Sequence, residues 1–80
     1  MNKKEIIERK NEIKEMIFQA FDEKFINFAL YINERLAEDN ILPNIEDIFD
    51  IVNETINKKD FAIYEDIEKE YQKWKQSHKE

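Results

Sequence analysis

The chain contains no glycine and a single proline, Pro43, in 80 residues. Glycine enters left-handed backbone conformations without a steric penalty, and phosphate-cradling loops and dinucleotide-binding turns depend on that freedom, so both are excluded. The same absence leaves helix boundaries to be marked by Asn, Asp and Pro. The strongest mark is Glu38-Asp39-Asn40-Ile41-Leu42-Pro43-Asn44, in which Asn40 can close one helix and Pro43 or Asn44 can open the next.

Before that run, Ile6, Ile13, Ile17, Phe21, Phe25, Phe28, Ile32 and Leu36 recur at spacings of three, four and seven, the period of an amphipathic helix. One unbroken helix over residues 3–38 would be about 54 Å long, against a radius of gyration near 12 Å for a compact chain of this size. It must break or continue through a dimer. The charged run Asp22-Glu23-Lys24 is the expected break, with Asp22 as N-cap. After the turn, Ile45, Ile48, Phe49, Val52 and Ile56 restore helical spacing, and Asn44 followed by Asp47 has the form of a weak capping box. Asp60 is the expected N-cap of a last helix whose face reads Tyr64, Ile67, Tyr71, Trp74 and His78, supported by Glu65 and Lys69 at i,i+4. These patterns predict an all-α fold, a small three- or four-helix bundle with helices near residues 3–21, 23–39, 44–58 and 60–76 in a single domain over residues 1–80.

On a helical projection centred on Phe18, the apolar residues Ile17, Ile26, Phe28 and Leu30 spread over about 220°. An arc that wide belongs to the central helix of a bundle or to one partly covered by another chain, which makes the Phe18–Leu36 region the place for a homodimer contact.

A chain this short buries only about 60% of the surface its unfolded form exposes, which leaves no room for an internal ligand cavity. Hydrophobic residues make up 41% and charged residues 40%, too apolar for disorder. The longest apolar runs, Met16–Phe18 and Phe28–Ile32, fall far short of the ~20 residues of a membrane span. The start, Met1-Asn2-Lys3-Lys4-Glu5, leads into charge and not into an apolar signal segment, so a cytoplasmic location is expected. Ile, Lys and Asn account for 32 residues while Leu appears three times, a skew that points to an AT-rich bacterial or phage genome.

Catalytic chemistry finds little support. His78 is the only histidine and Ser77 the only serine, adjacent near the end of the chain, and there is no cysteine for a thiolate nucleophile or a zinc site. Glu12 and Glu15 form a Glu-x-x-Glu pair, but the Glu-x-x-Asp that a magnesium site of the nucleotide pyrophosphohydrolase kind needs does not follow. Glu46, Asp50 and Glu54 share a helix face at i, i+4 and i+8 and read better as a solvated face than as a cation site. No catalytic, cofactor or metal residue is expected, and the chain is not read as an enzyme. Tyr71 and Trp74 fit bundle core better than a base-stacking platform, with one end of Trp74 left over for a partner.

Charge placement is more informative. Residues 1–24 hold six basic and six acidic side chains, as do residues 58–80, so the net charge of −6 lies within residues 25–57. There Glu34, Glu38, Asp39, Glu46, Asp47, Asp50 and Glu54 are opposed only by Arg35. Such a field repels phosphate backbones and attracts cationic surfaces, so direct nucleic-acid binding is disfavoured. The sequence therefore predicts a small acidic protein-binding module, an inhibitor or regulator docking on a basic surface of a partner, in the manner of phage anti-defence proteins, antitoxins and immunity proteins. Its expected contacts are those seven carboxylates and Trp74. The alternative is a homodimeric structural or adaptor protein.

Overall fold

The computed structural model describes residues 2–57 and 63–78. Within them, α1 spans Lys3–Ala20, a 3-10 turn spans Glu23–Phe25, and α2, α3 and α4 span Ile26–Glu38, Ile45–Ile56 and Ile63–Ser77. The fold is the small all-α bundle that the apolar spacing predicts. Asp60 and the expected start of the last helix lie outside the described residues.

The boundaries follow from local chemistry. Asn2 starts α1 by accepting a hydrogen bond from the Glu5 backbone N–H at 2.9 Å, and its Nδ2 donates to Glu5 Oε1 at 3.1 Å. The long apolar stretch breaks where expected, with Phe21 and Asp22 both in extended conformation. Asp22 stands at the N-cap position of the 3-10 turn but makes no side-chain capping bond, contrary to its expected role; only its carbonyl is used, accepting from the Phe25 N–H at 2.8 Å.

At the far end of α2, Asn40 adopts φ 61°. The Ile41 N–H then donates to the Leu36 carbonyl at 2.8 Å and the Asn40 N–H to the Ala37 carbonyl at 3.0 Å, the paired bonds of a Schellman ending. Asparagine tolerates this left-handed position better than other side-chain-bearing residues, and supplies it in a chain without glycine. Asn44 caps α3 by accepting from the Glu46 N–H at 2.8 Å, so it satisfies the second N–H of the helix and not the Asp47 N–H of a capping box.

α2 is the central helix, in contact with α1, α3 and α4, while α1 also touches α3 and α4 lies along α3. Lys10 of α1 meets Glu34 of α2 across a short connection, so these helices run antiparallel. Tyr31 and Arg35 meet Glu68 while Asp39 meets Tyr71 and Lys75, so α2 and α4 run parallel, as an alternating up-and-down order requires. The wide apolar arc is thus explained in two ways: it belonged to two helices, and α2 is covered by three others. Phe18, taken as the arc's centre, points outward from α1 and is 50% exposed.

One core cluster joins all four helices through Ile13 and Ile17, Ala29, Ile32 and Leu36, Ile48, Ile51 and Val52, and Ile67 and Tyr71. Each large apolar side chain buried this fully contributes about 1.5–3 kcal/mol before the cost of ordering it. The Phe21 and Phe49 rings stack with centroids 4.4 Å apart, holding the α1–α2 corner against α3. The radius of gyration is 12.1 Å, and the helices are arranged as a slab of 38 × 30 × 17 Å. No described helix is long and apolar enough to cross a membrane.

Candidate functional site

The seven carboxylates of the acidic segment divide into two groups once the chain is folded. Glu34 is met by Lys10 of α1 at 3.1 Å. Asp39, on the last residue before the Asn40 turn, accepts from the Tyr71 hydroxyl at 2.6 Å and from Lys75 Nζ at 3.0 Å, and Arg35 lies 3.9 Å away. The Tyr71 hydrogen bond, reinforced by the Lys75 and Arg35 charges, holds the Asp39 carboxyl below its ordinary range despite partial burial. Asp39 is therefore a structural group, and the charge-balanced flanks neutralise part of the acidic segment.

Arg35, the only cation within that segment, is occupied elsewhere. It grips Glu68 of α4 with Nε to Oε1 at 2.9 Å and Nη2 to Oε2 at 3.1 Å, a two-pronged pair. Glu68 also accepts from the Tyr31 hydroxyl and from Gln72 Nε2. Chiefly through Arg35, the Glu68 carboxyl is lowered to about 2. The Arg35 guanidinium also lies 5.1 Å from the centre of the Tyr71 ring. Tyr71 itself is fully buried, and that burial, with the negative Asp39 beside it, raises its phenol well above the ordinary range. Sequence reading missed this α2–α4 network. Its available signals were the solitary Arg35 and a core tyrosine whose hydroxyl must find a partner.

The second group lies on α3. Glu46, Asp50 and Glu54 are exposed, and neither they nor Glu38 at the end of α2 form an ion pair among the described residues. Asp47, half-buried on the same helix, has its carboxyl raised, first by burial and further by the charges of Asp50 and Glu46, while His78 opposes the shift. Four carboxylates on twelve helical residues repel one another, and among the described residues none of them forms an ion pair. Glu46 and Asp47 at least sit in the first turn, where the helix dipole favours negative charge.

Trp74 stands beside this face as a ridge on α4. Its ring is stacked between Tyr71 at 6.2 Å and His78 at 4.6 Å, and its buried Nε1 has no hydrogen-bond partner among the described residues. On one side, a groove of about 510 Å³ runs past Ile41, Gln72 and the Asp39–Lys75 pair. On the other, a groove of about 220 Å³ separates Trp74 from Asp50, Ile51 and Glu54 of α3. The structure thus brings Asp50, Glu54 and Trp74 together, aligns Glu46 on the same helix face, and leaves Glu34 and Asp39 engaged in other contacts.

Among the described residues, no three His, Asp or Glu side chains gather closely enough to hold a metal ion. Comparison of the chain with protein-family models, with curated proteins and with solved structures finds no match.

Proposed function

We propose that this chain is a small acidic protein-binding module whose α3 face docks on a basic surface of a partner protein, acting there as an inhibitor or regulator. The observation that carries this reading is the division of the carboxylates. Among the described residues, Glu34, Asp39 and Glu68 form ion pairs, whereas Glu46, Asp50 and Glu54 form none. A like-charged row with no ion pair among the described residues is a standing cost, and a cationic partner would remove it while speeding association through long-range attraction. The same field repels nucleic acid. A bacterial or phage cytoplasm is the setting that the composition favours, and phage anti-defence proteins, antitoxins and immunity proteins are the analogy of size and charge.

The test compares the natural chain with the triple variant Glu46→Lys, Asp50→Lys, Glu54→Lys as baits in bacterial lysate, at low and at high salt. All three positions are exposed, so helical circular dichroism should be unchanged. The reading expects a captured protein with a basic surface that is lost both in the variant and at high salt. An identical captured set for the two baits would sink it.

A further inference from the structure

The groove between α3 and α4 has more specific properties than a charged face. Ile51 and Trp74 give it apolar walls, Lys73 leans on Glu70 at 3.7 Å, and Asp50 and Glu54 add two carboxylates that form no ion pair among the described residues. At about 220 Å³ it is smaller than the roughly 300–1,000 Å³ of small-molecule sites, and it suits one long side chain. From this we infer that the groove is the anchoring point of the docking surface and receives an arginine side chain of the partner. The inference rests on the proposed docking function.

The occupant follows from complementarity. Asp50 and Glu54 are one helical turn apart, so their carboxylates stand on the same face about 5–6 Å apart at Cβ. A planar guanidinium can donate to both at once, while its aliphatic stem lies along Ile51 and Trp74; a lysine offers one point charge and a strongly hydrated head. A second copy of this chain is a poor occupant, because both of its arginines are already engaged. Arg35 holds Glu68, and Arg9 holds Glu12 at 3.1 Å and reaches the Pro43 carbonyl at 3.4 Å. Its net charge of −6 also opposes self-association through an acidic groove.

Trp74, the only tryptophan in the chain, lines the groove and serves as its reporter. The full chain is titrated at low salt with an alanine-based helical peptide carrying two arginines four residues apart, and with its lysine counterpart. Tryptophan emission and the backbone amide shifts of α3 are followed together. The arginine peptide is expected to change Trp74 emission saturably and to shift the amides of residues 50–54. The lysine peptide should bind about threefold to tenfold more weakly, because it lacks the two-pronged contact. The double variant Asp50→Asn, Glu54→Gln, which alters only exposed positions, should weaken the arginine peptide about tenfold or more. Equal affinity for the two peptides overturns the groove, as do shifts confined to residues 44–47 with Trp74 silent; either outcome leaves docking on α3 standing. If neither peptide moves any α3 amide at millimolar concentration, both the groove and the docking reading fall.

Discussion

Glu68 shows how one residue's surroundings set the acid stability of the bundle. Its carboxyl is lowered to about 2 and that of Asp39 is also lowered, so the folded chain holds these protons less tightly than the unfolded chain. Their contribution is complete above the unfolded carboxylate range and is lost as pH falls from about 4.5 towards 2. Asp47 acts in the opposite sense: its raised carboxyl takes up a proton more readily when folded, so acidification first relieves the α3 repulsion. Thermal unfolding followed by circular dichroism should therefore show a shallow rise in melting temperature as pH falls towards the Asp carboxylate range, then a steep fall below about pH 4. Asp47→Asn should remove the rise and keep the fall. Glu68→Gln should flatten the fall and cost about 1–2 kcal/mol at neutral pH, a partly solvated pair being worth less than its pKa displacement suggests. A variant with an unchanged acid limb would show that Glu68 does not govern it. None of this was visible along the chain, because Tyr31, Arg35, Asp39, Glu68 and Tyr71 come together only when α2 and α4 align in parallel.

Element boundaries were more legible, since they depend on neighbours in sequence. The absence of glycine narrowed the choice of terminators, and Asn40 does close α2 in the left-handed conformation. Asn40→Gly should be neutral or slightly stabilising, whereas Asn40→Val should cost about 1–2 kcal/mol, since a β-branched side chain is poorly tolerated there. The long apolar stretch does break at the charged run of residues 22–24, but not through an Asp22 cap. Asp22 makes no capping bond, while Phe21 turns inward to stack on Phe49 and draws the chain into extended conformation. Asp22→Ala should thus change stability by only a few tenths of a kcal/mol, while Asn44→Ala, which removes a formed cap, should cost about 1 kcal/mol. Denaturant melts of the two variants provide the comparison, and equal losses would contradict the cap assignment. Phe49, on the partly buried flank of α3, also explains why the α1–α2 corner could not be drawn from spacing alone: its partner lies 28 positions earlier in the chain.

Across the whole molecule, folding leaves the charge unevenly distributed. The linear count places the entire −6 in residues 25–57, and folding redistributes it: among the described residues Lys10 and Lys75 reach in from the flanks, Arg35 reaches out, and the carboxylates of α3 form no ion pair. In a protein held mainly by surface ion pairs, added salt weakens the fold. Here a net charge of −6 repels itself, and the row Glu46, Asp50 and Glu54 adds to it, each like-charged i,i+4 pair costing about 0.2–0.5 kcal/mol in dilute buffer. Raising salt from about 10 mM to about 500 mM, which shortens the screening length from ~30 Å to a few Å, should therefore stabilise the natural chain. The neutral variant Glu46→Gln, Asp50→Asn, Glu54→Gln should be more stable than the natural chain by about 0.5–1 kcal/mol at low salt, and the difference should vanish at high salt. That pattern identifies the α3 carboxylates as residues that weaken the isolated fold, a cost expected of a functional surface and not of one selected for stability. If neutralisation destabilises the chain at low salt, the row has cationic partners within the fold, and the argument for an unsatisfied docking face fails at its first step.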